Sequence, residues 1–264
     1  MYGRQPLRSA LSTLYGARYY ATKAADGPPK ISSPIGLRAP PRPEDNTGVD
    51  DRTLKQKKDD MLDYDKNLAR RKQIEKELAK GTEDLRMYRK YEGKFFLAPP
   101  AYFRADKALY MPNFWGKTLT GEWKPTTEVL RGHVSVVRIF GSVMGEKFVN
   151  SFIKNTYEGL PKEKGFQIVD VNVPDSFLKE QLVRLFMAKI RKGLEPEQHG
   201  RYFVGRKGIT PELRETIWAK NVYGGYVYLV DRHCRIRWAG CGQATEQEVG
   251  YLHKFIDSVL KEKS

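Results

Sequence analysis

Cys234 and Cys241 are the only thiols in this 264-residue chain, so nucleophilic or soft-metal chemistry would have to start from them. Cys234 falls at the turn of a β-hairpin and Cys241 just past its second strand. An extended path of about 3.3 Å per residue then holds them roughly 20 Å apart, outside disulfide reach. His233 and His253 bring imidazoles nearby, yet no two candidate ligands have zinc-finger spacing. His133 and His199 stand alone, and an ordinary hydrogen-bonded histidine is the reading for each. No Ser–His–Asp set, phosphate loop or paired acids is visible. The cysteines are therefore expected as an exposed turn residue and a small buried one, with no cofactor and no metal. Two thiols also exclude a disulfide-rich secreted scaffold.

The elements around these residues are legible from their periodicity. His133–Phe140, HVSVVRIF, is too densely apolar and β-branched for a half-exposed strand, and so predicts a buried one. Gly141-Ser142-Val143-Met144-Gly145 follows, then a helix with Phe148, Phe152 and Ile153 on one face. Phe166–Val173 is a second strand, closed by Pro174. Ser176 opens a helix whose Leu178, Leu182, Leu185 and Phe186 are expected as its buried stripe. Thr210-Pro211 starts a short helix, with Thr as cap and Pro at the first helical position. Tyr226–Val230 and Arg235–Ala239 flank Asp231-Arg232-His233-Cys234 as a hairpin. Thr245 and Glu248 form a capping box for a last helix, with Val249, Leu252, Ile256 and Val259 at helical spacing.

A βαβ half followed by a ββα half is the thioredoxin arrangement, an α/β fold with a mixed sheet and helices on both faces. The stretch Leu109–Leu119 before Thr126–Gly132 resembles the opening of peroxiredoxin-type members, where a short hairpin leads into the first core strand. In redox-active members a Cys lies between that strand and its helix, whose N-terminus lowers the thiol pKa. Here residues 141–145 hold no thiol, and the Ser142 hydroxyl is far too weak an acid to replace one. The cis-proline opposite is also missing, with Val222-Tyr223-Gly224-Gly225 in its stretch. Dithiol exchange is not expected.

The N-terminal third divides into three pieces. Met1–Ala25 has no acid, while Arg4 and Arg8 run beside an apolar stripe of Leu7, Leu11 and Leu14, the pattern of a basic amphipathic import helix. Arg18, Tyr20 and Ala21 resemble a matrix processing site, so residues 1–20 are expected as a transit peptide. Residues 21–49 carry six prolines between Pro28 and Pro43 and are expected as a disordered linker. Residues 50–92 hold 13 basic and 11 acidic side chains with a thin seam of Leu54, Met61, Leu68, Ile74, Leu78 and Leu85. That predicts a long solvent-exposed helix, with residues 93–264 as the globular domain. The net charge is +15, which favours anionic partners by long-range attraction. No apolar run is long enough to span a bilayer.

Two stretches resemble a known family. Residues 94–119, KFFLAPPAYFRADKALYMPNFWGKTL, are similar to the opening of the mitochondrial assembly factors that attend subunit 6 of the ATP synthase Fo sector. Gly225–Ala244, GYVYLVDRHCRIRWAGCGQA, resembles that family's closing signature, with Asp231, Gly240, Gly242 and Ala244 in it. The resemblance implies no enzyme. It implies an imported protein, peripheral on the matrix side of the inner membrane, that holds new subunit 6 and promotes its assembly with the subunit 9 ring. Aromatic and Arg residues dominate interface energetics, so Phe103, Arg104, Trp115, Arg237 and Trp238 are taken as client contacts. Core packing is the competing role for Trp115 and Trp238. Two other classes compete: a thioredoxin-like thiol enzyme using either Cys, and a basic RNA- or ribosome-binding protein. The missing loop thiol argues against the first. The balanced charge of 50–92 and the lack of an RNA motif argue against the second.

Overall fold

The computed structural model describes residues 27–50, 52–153 and 165–262. The import helix and Arg18, Tyr20 and Ala21 lie outside them. Helix α1 (Leu54–Leu62) is capped by Thr53 and Gln56 in a capping box, and α2 (Tyr64–Tyr91) follows after one residue. That residue is Asp63. It closes α1 and, through its carboxylate, accepts from Asp65 N and Lys66 N at the start of α2. A side chain that satisfies free helix-start amides favours a break over a continuous helix. Glu92 in the left-handed region then ends α2.

The domain is built on β1 (Trp115–Thr118), β2 (Trp123–Pro125), α3 (Thr126–Leu130), β3 (Val134–Phe140) and α4 (Val143–Ser151), continued by β4 (Phe166–Asn172), α5 (Phe177–Lys192) and α6 (Pro196–His199). It closes with β5 (Tyr202–Val204), α7 (Pro211–Thr216), β6 (Gly225–Val230), β7 (Ile236–Cys241) and α8 (Glu246–Lys261). The strand order is β2-β1-β5-β4-β3-β6-β7. β3 lies parallel to β4 with Val136 opposite Ile168, and antiparallel to β6 with Val136 opposite Leu229. This is the thioredoxin topology, with β3-α4-β4 as its first half and β6-β7-α8 as its second. Every residue of β3, β6 and β7 is buried, which is why these strands read as uninterrupted apolar runs. β5, three residues long, has no such signature and was not anticipated.

Alternation along each strand feeds two apolar clusters. Val136, Ile168, Leu229 and Trp238 face Phe152, Met187, Phe255 and Ile256 of α4, α5 and α8 and the residues around them. Val137, Val169, Tyr228 and Cys241 face the other way, toward Phe96, Met111, Phe114, Leu130 and Ile217.

Two expectations are corrected here. The Pro-rich stretch is no free linker over its described part. Ile31 and Ile35 are buried in the second cluster, and Leu37 pairs with Tyr110 through both backbone bonds at 2.7 and 2.8 Å. The Asn113 amide donates to the carbonyls of Pro43 and Asp45. Prolines fix φ and lack an N–H, which suits an extended strap as well as a linker; the apolar Ile pair decides between them. The second correction is α5. Phe177, Leu178, Leu182, Leu185 and Phe186 are exposed, while Glu180 and Met187 are buried. The helix is turned about half a revolution from the orientation expected. Its inward face carries Val183, Met187, Ile190 and, just beyond it, Leu194. It is pinned by Glu180 reaching Arg206 at 3.8 Å and by Arg191 donating to the Leu119 carbonyl.

Candidate interaction surface

The loop that bears the nucleophile in redox-active relatives of this fold is closed by its own backbone. Ser142 caps α4, its Oγ accepting from Gly145 N at 3.0 Å and donating to the Tyr223 carbonyl at 3.4 Å. A Cβ on Gly225 would sit 2.2 Å from the Gly145 carbonyl oxygen, so loop and strand touch where side chains would otherwise stand. No peptide among the described residues is cis. Helix α2 covers the opposite stretch. Asp84 accepts from Val222 N at 3.2 Å, its own carbonyl accepts from the Asn221 amide at 2.7 Å, and Tyr88 meets Tyr223 with ring centroids 5.9 Å apart. Burial raises the Asp84 carboxyl above the ordinary range.

Neither cysteine is exposed. Cys241 lies within β7, its Sγ 3.3 Å from both Phe96 N and Phe96 O, and burial pushes the thiol up to about 12. Cys234 is 2% exposed rather than open at the turn. Residues 109–111 cover the turn, with Met111 N donating to the Cys234 carbonyl. Burial pushes this thiol up to about 11. Raised values disfavour the thiolate, so at pH 8 about one in a thousand Cys234 side chains, and fewer of Cys241, is ionised. Native protein treated with iodoacetamide at pH 8 is therefore expected to stay unlabelled for hours, and to take two equivalents in denaturant. Fast labelling without denaturant would show an activated thiol.

The expected client contacts separate sharply. Trp238 is fully buried; its Nε1 donates to the Pro99 carbonyl at 2.9 Å and its ring meets Phe152 and Phe255 edge-on. Arg237 is 1% exposed. It makes a bidentate pair with Glu262 at 2.6 and 2.7 Å, donates to the Phe103 carbonyl and lies over the Tyr102 ring. These two residues build the interior and cannot meet a partner, because the last helix and residues 99–103 already cover them. Phe103 is half-buried against the second cluster. Arg104 is exposed beside Asp106, and Trp115 stacks on Trp123 at 6.4 Å.

The signature positions also have structural roles. The Asp231 carboxylate accepts from His233 N and Arg235 N and holds the hairpin turn. A Cβ on Gly240 would fall 2.8 Å from the Phe152 ring. Gly242 has φ +65 and its Cβ would fall 2.6 Å from the Gly93 carbonyl oxygen. Ala244 N donates to Ser151 Oγ.

What remains is the outer face of α5. Its five large apolar side chains begin at the same end of the parallel β3–β4 pair as Val143 and Met144, which are exposed at the first turn of α4. Four of them, Leu178, Leu182, Leu185 and Phe186, have the spacing expected of a core stripe, and so read as interior rather than as a surface. A finer signal was available: continuing Leu178-Leu182-Leu185 at helical spacing runs into Lys189 and Lys192, whereas Val183-Met187-Ile190-Leu194 stays apolar. Between α4 and α5 an open cleft of about 1260 Å³ has Arg138, Glu146, Lys147, Lys189 and Tyr202 in its walls, with no thiol or imidazole.

A thioredoxin-like domain with no thiol in its redox loop, strapped by its own N-terminal segment, is the class these features define. The chain belongs to the ATP10 protein family, whose pattern matches residues 18–259. It is 35% identical over 239 residues to the mitochondrial ATPase complex subunit ATP10 of Candida glabrata, spanning 89% of this chain and 86% of that one. Against the protein of the same name from Saccharomyces cerevisiae it is 32% identical, covering 86% and 85%. Among solved structures, the thioredoxin domain of a thiol-disulfide oxidoreductase from Bacteroides vulgatus is similar at 16% identity. The match covers 56% of this chain and 95% of that one with a TM-score of 0.39, so the fold is read from strand order instead.

Proposed function

We propose that this protein is an ATP synthase assembly factor. It binds newly made Fo subunit 6 without covalent chemistry and promotes its joining to the subunit 9 ring, on the matrix side of the inner mitochondrial membrane. Family membership sets the process. The observation that carries the mode of action is a redox loop without a thiol on a domain whose two cysteines are both buried. An apolar client needs a surface that delays aggregation until its partners cover it. Arg104, Trp123 and the half-buried Trp115 stacked on it are kept as client contacts. No described helix is long and apolar enough to cross a membrane, so the attachment proposed is peripheral, after import directed by residues 1–20.

Deleting the gene should leave subunit 6 synthesis normal but shorten its lifetime and reduce its incorporation, while the soluble catalytic sector still forms. Pulse labelling followed by crosslinking should trap subunit 6 early and lose it during the chase. If several unrelated mitochondrial messages instead stopped being translated, the RNA-binding reading would replace this one.

A further inference from the structure

The outer face of α5 has a composition that a purely apolar client does not require. Phe177, Leu178, Leu182, Leu185 and Phe186 stand outward over its first half. Beyond them the same side carries Lys189 and Lys192, exposed, with Arg191 nearby. The only acid on the helix, Glu180, is turned inward and neutralised by Arg184 at 2.7 Å and Arg206 at 3.8 Å. Asp175, before the helix, is taken by Lys179. An outward face of Phe and Leu ending in exposed lysines complements a surface that is apolar below and anionic above.

We propose that this face docks the protein on an anionic lipid bilayer, with the Phe and Leu side chains in the headgroup–acyl boundary and Lys189 and Lys192 on the phosphates. Apolar contact and charge attraction act together in such interfacial helices. The helix need not refold to bind, because its inner side is already packed on the domain through Val183, Met187 and Ile190. The proposal rests on the peripheral-membrane part of the reading above and not on the identity of the client.

The test is flotation of the full chain with phosphatidylcholine vesicles, with and without one-fifth phosphatidylglycerol. The native chain should float with the anionic vesicles, weakly with neutral ones, and release as salt rises. L178S/L182S/L185S should lower the partition at least about tenfold, and K189E/K192E should lower it on anionic vesicles alone. Thermal unfolding of each variant should match the native chain, since the changed side chains are exposed. Leu185, 76% exposed, changed alone to Lys serves if the triple variant folds poorly. Native-level vesicle binding by both the apolar and the charge variants would overturn the proposal. So would apolar variants that still bind vesicles yet fail to crosslink subunit 6, which would make the face a client seat. If the native chain binds vesicles through α5 but never crosslinks subunit 6, the functional reading falls and this one stands.

Discussion

Replacing Asp170 by alanine is expected to remove about 3–5 kcal/mol of stability, the usual cost of stranding one member of a buried ion pair. Asp170 is fully buried in β4 and Arg138 is 5% exposed on the neighbouring β3. They form a two-pronged pair, Arg138 Nε and Nη2 donating at 2.6 and 2.8 Å. Gln198 adds a third donor to the same carboxylate at 3.0 Å, and Asn150 accepts from Arg138 Nη1 at 2.7 Å. Removing the carboxylate leaves the Arg138 guanidinium without its bidentate acceptor in the sheet, and the Gln198 amide short of an acceptor. Replacing both partners, as in R138L/D170L, should cost much less than D170A, because no buried charge is then left uncompensated. Urea unfolding of the three proteins decides it; equal midpoints for D170A and the double variant would show that the pair does not hold the strands together.

Trp238→Ala is expected to cost a further large amount, about 3–5 kcal/mol, through the cavity it opens. The ring fills the space between Phe152, Phe255 and the sheet, and its Nε1 satisfies the Pro99 carbonyl in a buried site. Mutant protein should unfold at a markedly lower temperature and fall in abundance inside mitochondria. A client contact would behave in the opposite way, with stability kept and crosslinking to subunit 6 lost. Measuring both on the same variant therefore separates an interior tryptophan from an interface one.

The sequence signals that succeeded were those set by a single local cause. β3 and β4 lie between two apolar layers, so both faces had to be apolar and the runs were continuous. The capping box at Thr245 and Glu248 marks a helix start whatever surrounds it. The failures came where two local readings are equally good and distant residues choose between them. Helix α5 carries an outer apolar stripe toward its start and an inner one, Val183-Met187-Ile190, toward its end, and the crossover from β4 to β5, with Glu180 drawn to Arg206, selects the inner one. The prolines of the strap read alike for a tether and for a packed segment until Ile31 and Ile35 find their cluster. Arg237 and Trp238 were chosen by residue type, and type alone cannot tell an interface from a core when both favour large side chains. For the cysteines, the hairpin placed Cys234 correctly in the chain, but the covering residues 109–111 come from far outside it.

The strap has a consequence for the order in which this molecule can be completed. Among the described residues its anchors lie downstream: Leu97 and Tyr110, Asn113, and Thr216, whose carbonyl accepts from Gly36 N. A chain delivered from its N-terminus, whether by a ribosome or through a pore, presents the strap first and its last docking point some 180 residues later. Ile31 and Ile35 must therefore wait, uncovered, until the sheet exists to receive them, and closing such long loops is slow. The second cluster is sealed late by a segment that arrives early, so a chain arrested before Thr216 would lack both the last anchor of this lid and strands β6 and β7 beneath it.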